Sequence, residues 1–422
     1  MPRAMQQKRE LPLEGFRALD LTDDKGFLCG KILADLGVDV IKIEKPGGDP
    51  SRNIGPFYHT EPHPEKSLYW FACNANKRGI TLDIKAEDGR HIFTNLAKTS
   101  DFIIESFRPG FMDSLGLGYD FLSKVNQGII LVSVTGFGQE GPYRDFETSD
   151  IVSMAMGGLA FIMGEPDKPP IRFSLPQAFL HAGADAAVGA LTALYYRELT
   201  GQGQHVDVSV HASLPLATFN SIPSWELNKI ILKREGIYRA GLATSVRQRQ
   251  LWDCKDGAVI FYLLGDPVAS KSNRALAKWL EDKGMASEFM KKMDWDSFDA
   301  GREGQETQNE LEKCIAPFFL TKTKQELYEE ALKRSLALCP VSSMKDLLEN
   351  PQLEARSFWV DVEHEELADV IRYPGPFAQL SLTPIKMRRR APLIGEHNKE
   401  IYIGELGLPP EQLVRLKELR VI

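Results

Sequence analysis

The stretch Pro170–Val210 constrains this chain more than any other, because its hydrophobic period changes twice within it. Ile171–Leu175 predicts a short strand, and Pro176 and Gln177 turn it. From about Phe179 to Leu199 small and apolar residues recur at helical spacing until Thr200-Gly201-Gln202-Gly203 stops them. His205–Val210 then alternates as HVDVSV, a strand with Val206, Val208 and Val210 on one face. The helix carries Ala182, Ala186, Gly189, Ala190 and Ala193, which let a neighbouring element come close. Strand, helix, strand is the grammar of an α/β fold, whose chemistry sits where a strand hands over to a helix.

The same grammar opens the chain. Phe16–Leu21 predicts a strand, Phe27–Leu36 a helix closed by Gly37, and Val38–Glu44 a second strand, so a parallel sheet is implied. Gly26 and Gly30 do not complete a GxGxxG fingerprint, which leaves a nicotinamide-dependent enzyme without support. Ile80–Ile84, Ala86–Leu96, Asp101–Glu105 and Ile129–Val134 continue the alternation. The loops Ser106–Gly110 and Thr135–Tyr143 follow two of these strands and are the expected ligand rim. From about Ser224 the pattern changes to a hairpin around Asp256-Gly257 with Ala258–Leu263 as its second strand. Helices at Ser272–Asp282 and Leu311–Arg334 follow, which together suggest a smaller α+β region. Phe358–Val362 and Phe377–Leu382 read as late strands, and Lys42 and Glu44 as an exposed face of the second strand.

At 422 residues the chain exceeds one ordinary core, so two domains are expected. Its 51 basic residues against 58 acidic ones give a net charge of −7, and the densest basic block is only Lys386–Arg390, which argues against nucleic acid as a main partner. Five cysteines form neither a CxxC pair nor a His-spaced cluster, so no zinc site or disulfide framework is signalled. Together with a charged start, MPRAMQQKRELP, and no 18-residue apolar run, this predicts a cytoplasmic protein without a membrane partner.

Several stretches in order resemble the class III CoA-transferases, the CaiB/BaiF type, whose members include formyl-CoA, carnitine and benzylsuccinate CoA-transferases. The matching pieces begin with Leu33–Gly37, Val40–Pro46, Asn76-Lys77-Arg78-Gly79 and Phe107-Arg108-Pro109-Gly110. They continue through Gly136-Phe137-Gly138, Gly141-Pro142-Tyr143, Met156-Gly157-Gly158 and Gly164-Glu165-Pro166, and end with Gly201–Val208, Pro351–Arg356 and Leu393–Asn398. The resemblance implies an interlocked, ring-like dimer. It also implies a Rossmann-like large domain built from residues 1–223 and 336–422, with a small domain at 224–335. Its implied substrates are coenzyme A and acyl-CoA, with no permanently bound cofactor and no metal. It puts Lys77, Arg78 and Arg108 at the CoA cleft, where cations pair with phosphates. Gly136, Gly138 and Tyr143 would shape the acyl side; the bland alternatives are solvated surface pairs, a plain turn and a packed aromatic.

The chain departs from the family at the nucleophile. The family places there an aspartate that accepts the acyl group and then CoA as a thioester; the matching position holds Phe179, so no catalytic residue is expected from this chain. Asp185 lies six residues on, about 9 Å along a helix, too far to substitute in an attack needing about 3 Å. His181 cannot form the same anhydride, and Glu140 is a surface glutamate by default. Asp23-Asp24-Lys25 followed by Gly26-Phe27 stands where the family has Gly-Pro, and Gly241, Gly257 and Gly265 form no glycine-rich lid. The leading expectation is therefore a non-nucleophilic subunit paired with a paralogous chain that carries the aspartate, as in benzylsuccinate activation during anaerobic aromatic degradation. A self-sufficient transferase, an acyl-CoA racemase and a CoA-binding or structural partner are the alternatives.

Overall fold

The computed structural model describes residues 10–240, 246–263, 269–300 and 303–422. Six strands form its main sheet: β1 (Arg17–Asp20), β2 (Asp39–Glu44), β3 (Arg78–Thr81), β4 (Phe102–Glu105), β5 (Ile130–Thr135) and β6 (His205–Ser209). Their order is β3-β2-β1-β4-β5-β6 and every neighbouring pair is parallel. This is the order of a doubly wound sheet, in which the chain winds outward from β1 in one direction and then restarts at β4 in the other.

A parallel sheet covered on both faces reads as nearly continuous apolar sequence, and these strands do. Leu19, Ile41, Ile103 and Leu131 face a core shared with Ile92, Phe93 and Leu96 of the helix Glu87–Ala97 and with the C-terminal residues Ile401, Tyr402, Leu413 and Leu416. On the other side the helices Phe27–Asp35 and Gln177–Thr200 lie so close that a Cβ on Gly183 would stand 2.8 Å from Leu28 Cβ. That approach explains the small residues of the long helix: Ala182, Gly183, Ala186 and Ala190 are its buried side.

Two compact units are resolved. The larger takes its described residues from Met1–Leu159, Phe173–Ala217 and Gln352–Ile422, the smaller from Ala160–Arg172 and Thr218–Pro351. The smaller contains a three-stranded antiparallel sheet of Leu251–Cys254, Gly257–Phe261 and Leu338–Pro340, with Trp252, Trp279, Phe318 and Phe319 in its core.

Four local expectations need correction. Ile171–Leu175 forms no strand; Ile171, Phe173 and Leu175 are exposed, and apolar alternation without a partner strand makes no ladder. Leu311–Arg334 is two helices, Gln305–Leu320 and Lys324–Arg334, because Thr323 and Glu326 form a capping box that starts the second. Phe377–Leu382 is irregular, and the late hairpin pairs Trp359–His364 with Asp369–Pro374 instead. Lys42 and Glu44 are not an exposed face: both are buried, Glu44 against the Arg52 guanidinium at 2.7 and 2.8 Å and Lys42 against Asp20. The lid positions Gly241 and Gly265 lie outside the described residues.

Candidate active site at the carboxyl edge of the sheet

Because β2 and β3 lie to one side of β1 while β4 to β6 lie to the other, the connections leaving β1 and β4 diverge and open a crevice between them. Its walls are the turn Leu21–Gly26 and the segment Ser106–Gly110. The Asp23 N–H donates to Ser106 Oγ at 2.8 Å, and that hydroxyl donates back to Asp23 Oδ1 at 2.8 Å, so the walls are tied together. Lys25 is paired with Asp23. Burial, then the neighbouring Asp23 charge, push the Asp24 carboxyl up to about 6. At the end of β4, Glu105 is 4% exposed and accepts the Phe107 N–H at 2.7 Å; burial pushes it up to about 7.

Beneath the turn, Asp20 ends β1 fully buried between two fully buried lysines. Lys77 Nζ donates to Asp20 Oδ2 at 2.8 Å, to the Phe27 carbonyl at 3.0 Å and to Asn74 Oδ1 at 2.9 Å. Lys42 reaches the Thr22 carbonyl and lies 3.4 Å from Asp20 Oδ1. Burial would raise Asp20, but Lys42 and Lys77 outweigh it and hold the carboxyl down to about 2; burial pulls Lys77 down against the attraction of Asp20.

The long helix enters the same edge. Phe179 stands in its first turn and is 6% exposed, so an apolar ring fills the position at which the resemblance demands a carboxylate. Asp150 is nearby in space although not in sequence: its Oδ1 accepts the Ala178 N–H at 2.8 Å, satisfying one of the free donors of the helix N-terminus. Asp185 is half-buried further along the helix.

The loop after β5 is shaped by its glycines. A Cβ on Gly136 would stand 2.5 Å from Thr148 Cγ2, and Gly138 has φ +91°, a conformation that side chains resist. Gln139 N–H donates to Asp207 Oδ2 at 2.9 Å, and the Phe137 ring meets Tyr143 at 5.8 Å and His211 at 5.6 Å. Tyr143 is 45% exposed, and Glu140 is exposed.

Of the residues singled out from sequence, Gly136, Gly138 and Tyr143 share this loop, and Arg108 lies near the Thr148 end of it, 71% exposed and 3.3 Å from Glu147. Lys77 lies inside the fold under the β1 turn. Arg78 begins β3 but turns back to Asp39, the first residue of β2, with Glu400 at 2.7 Å and Glu405 as further partners. Its guanidinium thus joins the C-terminal segment to the sheet rather than meeting the Gly136–Tyr143 loop. Sequence reasoning missed Asp150 and Glu105. Nothing local marks Asp150, since its partner is 28 residues away; Glu105 carried one signal, a glutamate closing an otherwise apolar strand.

Doubly wound sheets bind ligands in the crevice at such a switch point, and this edge is where one would sit. CoA-transferase family III matches residues 13–398, and the chain belongs to that family. It is 33% identical over 417 residues to the succinyl-CoA:(R)-benzylsuccinate CoA-transferase subunit BbsE of Thauera aromatica, covering 96% of this chain and 97% of that one. It is 29% identical over 415 residues to the succinyl-CoA–L-malate CoA-transferase beta subunit of Chloroflexus aurantiacus, covering 98% of each. The crystal structure of a CaiB/BaiF family protein from Brucella suis superposes with a TM-score of 0.81 at 26% identity, covering 94% of this chain and all of that one. Membership makes coenzyme A and acyl-CoA its substrates, with carboxylic acids as exchange partners. No helix among the described residues is long and apolar enough to cross a membrane.

Proposed function

We propose that this chain is the non-nucleophilic subunit of a heteromeric CoA-transferase. The complex moves CoA between an acyl-CoA such as succinyl-CoA and a carboxylic acid, benzylsuccinate being one candidate, and the attacking aspartate comes from a paralogous partner. The observation that carries this reading is Phe179, a buried ring with no oxygen in the first turn of the long helix. Arg108, Gly136, Gly138 and Tyr143 are assigned to the ligand face, with Lys77 acting from inside the fold and Arg78 spent on Asp39, Glu400 and Glu405.

The need for a partner has separate support. The long helix is apolar nearly all round, yet Val188, Tyr195, Tyr196 and Leu199 are 64, 69, 48 and 69% exposed. Phe219, Trp225 and Leu227 are exposed as well. Large apolar side chains exposed together on one helix mark an interface rather than a solvated face. An interlocked ring is the form expected of such an interface in this family, in a cytoplasmic setting.

Native mass spectrometry on the assembly from its natural host should find this chain bound to a related chain. Hydroxylamine or borohydride trapping under acyl-CoA turnover should then place the adduct on that partner. A folded monomer, or an adduct on Asp150, Asp185 or Glu140 of this chain, would sink the proposal.

A further inference from the structure

The turn Leu21–Phe27 forms one wall of the crevice, and it is held at both ends from below by ammonium groups that no ligand can touch. Lys42 takes the Thr22 carbonyl, and Lys77 takes the Phe27 carbonyl at 3.0 Å. Thr22 is fixed a second time, its N–H and hydroxyl both donating to Asp20 Oδ1 at 3.0 and 2.6 Å. The arrangement is exacting: a Cβ on Gly30 would overlap the Asp20 carboxylate and stand 3.0 Å from Lys77 Nζ.

Two lysine heads share one carboxylate, so a buried charge cluster lies under the turn. Phe27, 1% exposed, covers it: the ring centroid is 5.0 Å from Lys42 Nζ and 5.5 Å from Lys77 Nζ, and Trp70 packs edge-on against that ring at 5.4 Å. An aromatic face attracts cations while excluding water, which keeps the cluster dry. Phe27 thus gains a physical reason for standing where the family has proline.

We infer that Lys42 and Lys77 are positioning residues for the anionic ligand: they clamp the two ends of the Leu21–Phe27 turn so that its backbone keeps the shape the ligand meets, with Phe27 as the seal. The inference rests on the reading of that crevice as the CoA site. It differs from direct contact, since neither lysine is exposed to solvent.

Lys42→Met and Lys77→Met each leave a one-to-one pair with Asp20, so both variants are expected to fold. In the intact assembly without ligand, hydrogen exchange of the peptide covering residues 21–27 should accelerate about tenfold, while exchange in Leu251–Phe261 stays unchanged. Calorimetric titration with CoA should show affinity reduced about tenfold. Weaker CoA binding with unaltered exchange in the turn would mean direct contact and overturn the clamp. Faster exchange with unaltered affinity would overturn the link to the ligand. If both methionine variants fail to fold, Phe27→Leu decides: faster exchange in the turn with weaker CoA binding supports the inference, and no change in either defeats it. Failure of the unmodified assembly to bind CoA would instead remove the functional reading, a signal separate from exchange in the turn.

Discussion

Asp20 and Glu105 end adjacent parallel strands, and both carboxyls are buried, yet their proton affinities are driven in opposite directions. Asp20 pairs in register with Ile104, so Glu105 is one residue beyond and its side chain lies on the other face of the sheet. On the Asp20 face, Lys42 from β2 and Lys77, which immediately precedes β3, overcome the cost of burial and hold the carboxyl down to about 2. On the Glu105 face the Ser133 hydroxyl and the Phe107 N–H meet the carboxyl and Lys25 attracts it, but burial, helped by the Asp23 charge, outweighs them and takes it up to about 7. Burial therefore does not decide the charge of this edge; the side from which cations arrive does.

The largest break in the comparison is Asp20→Asn, which leaves two buried ammonium groups without a carboxylate. A loss of about 3–5 kcal/mol of unfolding free energy is expected, the scale of an uncompensated buried charge; urea titration at neutral pH measures it. A loss below about 1 kcal/mol would show that the lysines find water.

Next comes the opposite pH dependence of the two carboxyls. Glu105 folded near 7 against about 4.5 unfolded binds the proton more tightly in the native state. Its contribution is present below about pH 4.5 and is lost as pH rises through 7, about 3 kcal/mol in all. Asp20 behaves inversely: its contribution is present above about pH 4 and is lost as pH falls through about 2. Glu105→Gln should flatten the slope between pH 4.5 and 7 in thermal melts and leave the acid limb untouched. An unchanged upper slope would refute the assignment.

Since the cations under the turn are already paired inside the fold, ligand phosphates must be met by an exposed one. Arg108→Ala should weaken CoA binding by about 1.5–3 kcal/mol, the scale of a charged hydrogen bond; equal affinity by calorimetry would remove Arg108 from the ligand face. The smallest effect is expected at Asp185, where replacement by asparagine should keep turnover of the full assembly within about tenfold, or roughly 1.4 kcal/mol. A larger loss would mean that the helix reaches the chemistry further along than its first turn.

Periodicity made the sheet legible before any coordinates. Each predicted strand from Phe16–Leu21 to His205–Val210 appears within a residue or two, apart from Ile171–Leu175 and from Ile80–Ile84, which is displaced to Arg78–Thr81, because buried strands and amphipathic helices write their packing into local sequence. Ile171–Leu175 had the right alternation and no partner, a fact no local window contains. Lys42 and Glu44 looked solvated because a charge is normally exposed; their buried counterions, Asp20 and Arg52, come from other elements. Asp150 escaped for the same reason.

The chain's own order of residues determined the α/β alternation, the loops at the strand ends and the absence of a carboxylate at position 179. All three are properties of single positions or short periods. The tertiary structure alone decided where charge resides: which lysines lie under the β1 turn, which way Arg78 turns, and why Asp20 and Glu105 titrate apart. Electrostatic energy depends on distance and on exclusion of water, and both are set by elements that meet only when the sheet has closed around them.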